Sequence, residues 1–180
     1  MSKFFTMATG IVAALTLVGC ATPLTTIQTA VGPNPHSAKQ SSPQGNLEVF
    51  PAWVQAAIPE GMSPMALTVI PPFPSYEKAG YSIYDAKGRL VKNVGYNDYS
   101  EPSLTQRVIP LTPGAYRIET LASAGSGNWT VVPVVIEAGK TTRVHLNGRW
   151  EPPAHTPASE LVYLAAGFPI GWRAGLAPGS

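Results

Sequence analysis

Three short turns, Asp85-Ala86-Lys87-Gly88, Thr112-Pro113-Gly114 and Ala138-Gly139-Lys140, each lie between two runs rich in branched and aromatic residues. That punctuation selects strands over helices. Proline at 113 presets one backbone angle of its turn, while the glycines at 88, 114 and 139 tolerate backbone that other residues resist. The flanking runs read as three hairpins: residues 80–84 with 90–94, 104–111 with 115–121, and 128–137 with 141–146. With a further strand at 65–70, the count reaches seven short strands at regular spacing. The expectation is an all-β fold, an antiparallel seven-stranded sandwich.

Alternation assigns faces within these strands. In the last one Thr142, Val144 and Leu146 share a side and Thr141, Arg143 and His145 point the other way, which places His145 toward solvent. Tyr116 and Ile118 belong inside, Arg117 and Glu119 outside. Pro133 interrupts residues 131–136, which predicts an edge strand or a bulge there.

Near the start of the sequence Lys3 precedes an apolar run over residues 4–18, too short for a comfortable span of roughly 20 residues but suited to an export signal. The run closes on Leu17-Val18-Gly19-Cys20, and Cys20 is the only cysteine. This motif resembles the lipobox of bacterial lipoproteins. The resemblance implies cleavage before Cys20, acylation of its thiol and new amine, and stable residence in a bilayer, since each buried methylene gives about 0.8 kcal/mol. Ala21 after the cysteine resembles the default for transfer to an outer membrane. The implied location is lipid-anchored at the outer membrane, on its periplasmic or its surface face.

Once Cys20 is acylated no thiol remains, so the body must be held by packing rather than disulfides. The division read from the sequence is a signal peptide at 1–19, a lipidated flexible tether at 20–46, a β-sandwich domain at 47–149 and a Pro-rich linker with a docking tail at 150–180. The tether assignment rests on a Thr, Ser, Pro and Gln composition without hydrophobic period. It would reach roughly 28 Å as a coil and at most about 90 Å stretched. Residues 52–58, after Pro51 and before Pro59, suit a short helix. In the tail, residues 160–164 and 168–173 favour a small hairpin over a short helix capped by Thr156, apolar enough to dock on its own domain.

The stretches Leu111-Thr112-Pro113-Gly114-Ala115-Tyr116 and Glu137-Ala138-Gly139-Lys140-Thr141-Thr142 resemble the PEGA and carboxypeptidase-regulatory-like group of transthyretin-type sandwiches. The resemblance covers residues 80–147 and implies a transthyretin or immunoglobulin-like fold in a non-catalytic surface or adaptor module. It carries over no active-site residue.

Twelve Lys and Arg stand against ten Asp and Glu, and removal of Lys3 with the signal brings the two nearly level. The basic residues are scattered singly, which excludes a nucleic-acid footprint. Gly139-Lys140-Thr141 lacks both the first glycine of a phosphate-binding loop, which would fall at Val134, and a following helix. Gly125-Ser126-Gly127 lacks the glycine two places before serine that a nucleophile elbow uses. His36, His145 and His155 form no helical pair, so neither a metal nor another cofactor is expected. An enzyme is not expected, an envelope hydrolase being the least favoured reading. Trp129, Trp150, Trp172, Tyr96 and Tyr99 are the candidate contact surface, for an envelope protein partner or a cell-wall or surface polysaccharide.

The anchor has a direct test. Cys20→Ser should move the protein from the membrane pellet to the soluble fraction, and mass spectrometry of the wild-type amino terminus should show an acylated cysteine. A free thiol behind an intact initiator methionine would refute it.

Overall fold

The computed structural model describes residues 24–55, 76–95, 108–121 and 129–176. Thirteen strands run through them. The first five are β1 (Leu24–Thr26), β2 (Val31–Gly32), β3 (Gly45–Phe50), β4 (Trp53–Gln55) and β5 (Tyr76–Lys78). Next come β6 (Tyr81–Asp85), β7 (Leu90–Val94), β8 (Val108–Leu111) and β9 (Gly114–Leu121). The last four are β10 (Trp129–Ile136), β11 (Thr141–His145), β12 (Leu161–Tyr163) and β13 (Pro169–Arg173). Apart from one 3-10 turn at Ala158–Glu160, no helix occurs among the described residues.

The strands form two mixed sheets. The larger runs β12-β13-β2-β10-β9-β6-β7, with β1 also on β10, and the smaller runs β11-β3-β8; β4 and β5 pair separately. β1 and β2 lie parallel to β10, and β3 lies parallel to β11, so the antiparallel expectation fails at these pairings. A single hydrophobic cluster joins the sheets. Leu47, Val49, Val144 and Leu146 come from the smaller, and Ile83, Ile118, Val132, Val134 and Ile170 from the larger, all fully buried or nearly so. Thr142, Val144 and Leu146 do share the inner face, and the buried Thr142 hydroxyl is satisfied by donating to the Val135 carbonyl at 2.7 Å.

The hairpin at 80–94 forms as read, as β6 and β7. Asp85 closes its turn, accepting from the amides of Lys87 and Arg89 at 2.9 Å each and from Arg89 Nε at 2.8 Å. The other two turns do something different. Thr112-Pro113-Gly114 leads from β8, which pairs with β3, to β9, which pairs with β6 and β10. Ala138-Gly139-Lys140 likewise leads from β10 in the larger sheet to β11 in the smaller. Both expected hairpins are thus crossovers between sheets. Local turn chemistry is indifferent to whether the outgoing strand folds back beside its predecessor or onto the facing layer. Tyr116 braces the first crossover: its hydroxyl donates to the Thr112 carbonyl at 2.9 Å and lies 2.8 Å from Thr112 Oγ1.

Pro133 lies in the middle of the larger sheet, not at an edge. β10 has β9 on one side and β1 and β2 on the other. The Ile27 amide donates to the Val131 carbonyl at 2.9 Å, and a parallel ladder would next require residue 133 to donate to Ile27. Proline has no amide hydrogen. The ladder stops there, residues 28–30 leave it, and the chain rejoins with Val31 opposite Val134. The edge rule gives way because a two-segment neighbour leaves a gap where the missing donor faces.

Residues 24–46 are part of the fold rather than a tether. Val31, Gly32, Pro33 and Pro35 are buried, and Pro33 bridges Thr142. The backbone of Gln40 donates to Gly139 O at 2.8 Å, and Gly139 N donates to Gln44 O at 2.9 Å. Gly139 has φ of 72°, and a Cβ there would overlap the Gln40 carbonyl. Composition misled because these residues add few apolar side chains of their own and complete a core supplied by others. The end of the chain behaves alike: β12 and β13 form the expected hairpin, and β13 pairs with β2, so these two strands extend the larger sheet. In place of the helix expected over 52–58, residues 53–55 form β4; residues 56–75, including the strand expected at 65–70, lie outside the described residues.

Val31→Ala tests whether this segment is structural. Removing two fully buried methyl groups should cost about 2 kcal/mol in urea unfolding, transfer and cavity terms together. A tether residue would leave stability within about 0.5 kcal/mol.

Candidate functional site

Parallel pairing of β3 with β11 sets Glu48 beside Arg143 and Phe50 beside His145 on the outer face of the smaller sheet. Both pairs make contact. Arg143 Nε donates to Glu48 Oε2 at 2.7 Å, and the Phe50 and His145 rings stack at 4.2 Å with 13° between planes. After β11 the chain turns through Gly148, whose φ is 66°, with the Arg149 amide donating to Asn147 Oδ1 at 3.2 Å. That reversal returns Trp150 over the free face of His145, at 4.8 Å and 6°. The imidazole is the middle layer of a three-ring stack.

Trp172 extends the row from β13, meeting Trp150 edge to face at 6.3 Å and 67°, and His36 lies beyond it at 5.6 Å and 81°. The close approach of β13 depends on Gly171, where a Cβ would press on Val31 Cγ1 and the Arg143 carbonyl. Between these elements lies a cleft of about 120 Å³, lined by Asn34, Thr141, Arg143, His145, Trp150, Pro153, Gly171 and Trp172. A larger groove of about 310 Å³ runs between residues 25–29 and 161–165, lined by threonines, Gln28, Tyr163, Arg173 and aliphatic side chains. The smaller cleft holds the greater chemical variety.

His145 does not face open solvent as its alternation implied. Burial first, and the neighbouring Arg143 charge second, push its pKa down to about 4. It is neutral at pH 7. Alternation placed it on the correct face but gave no sign of the rings that cover it. Asn34, whose Oδ1 accepts from the His36 amide at 2.9 Å, supplies an amide side chain to the cleft lining. The cleft therefore presents aromatic edge and face, one amide, one hydroxyl and a guanidinium already tied to a carboxylate. Among the described residues no three His, Cys, Asp or Glu side chains converge as a metal would need.

Of the five aromatic candidates, Trp150 and Trp172 come together here. Trp129 stands apart at the start of β10, 41% exposed and paired with Leu24 and Leu121. Tyr96 and Tyr99 lie outside the described residues, as do Cys20 and the loop Gly125-Ser126-Gly127. Sequence reasoning missed Phe50, Asn34 and the role of His36. The signal that would have found Phe50 is its two-residue spacing from Glu48, matching Arg143 and His145, which acquires meaning only once β3 and β11 run parallel. No protein-family model matches this chain, no curated protein matches it, and no solved structure matches it.

The His145 stack makes stability depend on pH in a defined window. Its folded pKa lies below the unfolded value of 6.5, so its contribution is complete above pH 6.5 and is lost as pH falls toward 4. The loss is on the order of 2 kcal/mol once partial solvent screening is discounted. His145→Phe should remove that segment of the urea-midpoint profile between pH 6.5 and 4. An unchanged profile would show that the imidazole titrates freely.

Proposed function

We propose that the chain is a non-enzymatic lipoprotein of the outer membrane, anchored through acylated Cys20, whose β-sandwich acts as an adaptor for another envelope protein. The observation that carries the binding reading is the aromatic cleft built by β11, β13, residues 34–36 and residues 150–153. Its titratable groups are committed to structure: His145 is neutral with both ring faces covered, and Arg143 is paired with Glu48. What remains is contact area with a few directional polar groups, the profile of a recognition surface. The anchoring reading rests on the Leu17-Val18-Gly19-Cys20 motif. The transthyretin and PEGA type of sandwich is part of the proposal for residues 80–147 and rests on the sequence of its two signature turns, both of which cross between sheets rather than close hairpins.

A second reading is favoured by one feature of the same cleft. Trp150 and Trp172 beside the Asn34 amide and the Thr141 hydroxyl offer a stacking face and hydrogen-bonding groups together, the combination a pyranose ring engages. At about 120 Å³ the space is well below the roughly 300 Å³ that buries a compact ligand, so one unit of a surface-lying polysaccharide suits it better than a free small molecule.

One experiment separates the two. A photo-crosslinking amino acid placed at Pro153, on the cleft rim, is activated in intact envelopes. A discrete protein adduct that disappears with Trp150→Ala supports the adaptor; a polydisperse, glycosidase-sensitive adduct supports the polysaccharide. Absence of any adduct dependent on Trp150 would refute both.

A further inference from the structure

With residues 24–46 built into the body, only Ala21, Thr22 and Pro23 separate Cys20 from the first strand. Four Cα steps span at most about 15 Å. The end of the larger sheet where β1 begins is therefore held close to whatever Cys20 is attached to. That end has a distinctive composition. Leu24, Trp129 and Leu121 stand opposite one another in a single row across β1, β10 and β9. Leu24 is 61% exposed and Trp129 41% exposed, the first of them among the most exposed large apolar side chains described. The next row, Thr25, Thr130, Thr120, Tyr81 and Val94, turns inward, with all but Thr25 buried, so Leu24 and Trp129 are the side chains this end presents outward. Only in the third row does a charged residue occur, Glu119, and it is paired with Arg117 at 2.8 Å.

We propose that this uncharged sheet end, led by Trp129 and Leu24, lies in the interfacial layer of the bilayer that carries the anchor. The inference rests on the acylation of Cys20 proposed above. The occupant is a lipid surface because four Cα steps hold this row within about 15 Å of the residue that carries the acyl chains. Each interfacial layer of a bilayer is some 5–8 Å deep, within the span allowed by the three intervening residues. Tryptophan suits that layer because its ring is apolar while its indole N–H keeps a polar partner, and leucine adds apolar area that the acyl boundary covers. The body would then sit on the membrane at one end rather than swing on a leash.

The test uses the full acylated chain reconstituted in phosphatidylcholine and phosphatidylglycerol vesicles that contain lipids brominated high on the acyl chain. Mass spectrometry first establishes that Cys20 is acylated. Tryptophan emission should be lower than in unbrominated vesicles by about one tryptophan's share of the four, and Trp129→Phe should abolish most of that difference, leaving the signal of Trp53, Trp150 and Trp172. The substitution is conservative and exposed, so circular dichroism should be unchanged. An acylated protein whose quenching is the same with and without Trp129 would overturn the inference and leave the anchor standing. A chain that is not acylated would remove both.

Discussion

β10 has neighbours on both edges, β9 along its full length on one side and β1 followed by β2 on the other, and the missing amide of Pro133 decides how that second edge is divided. The consequence spreads outward. Because the parallel ladder must break after Ile27, residues 28–30 swing out and Val31 returns to full burial, and the returning β2 becomes the strand on which β13 docks. β13 brings Trp172, and through Gly171 it comes within contact of β11. The aromatic cleft is thus assembled across a seam that one proline helps to define.

Parallel pairing is the second determinant. In an antiparallel sheet the ends of β3 and β11 would lie at opposite ends, and Phe50 would be far from His145. Run in the same direction, they bring Glu48 to Arg143 and Phe50 to His145 in adjacent cross-strand pairs, one ionic and one stacked. The exposed ion pair is worth at most about 1 kcal/mol. The stack matters more, because covering the imidazole desolvates it and fixes it as a neutral packing element.

What the sequence discloses here is local, and what it hides is relational. The all-β class, the turn at Asp85-Ala86-Lys87-Gly88, the inward set Thr142, Val144 and Leu146, and the tail hairpin all follow from two-residue alternation and turn residues, which act within a few positions. Whether Thr112-Pro113-Gly114 closes a hairpin or crosses between layers depends on partners far along the chain, and no periodicity records that. The same holds for the segment read as a tether. Its polar composition is real, but Gln40 and Gln44 are fixed by the backbone of Gly139, and backbone hydrogen bonds leave no trace in composition. Of the candidate contact residues, Trp150 and Trp172 were legible as aromatics and not as neighbours; their meeting requires β13 to add to β2.

The loss of the tether changes what kind of binding such a body can perform. A coil of 26 residues would let a binding face search a shell roughly 28 Å in radius, and the local concentration it sees would fall with the volume of that shell. With three residues between Cys20 and β1, acylation would instead hold the β1 end near the bilayer, and the interfacial seating of Trp129 proposed above would add a second point that limits tilt. Preorientation of this sort lowers the rotational freedom lost on association, a cost of several kcal/mol that a free partner would otherwise bear in full. Under the proposed anchoring, a small cleft of modest intrinsic affinity would then suffice, because the bilayer would supply part of the ordering that recognition requires.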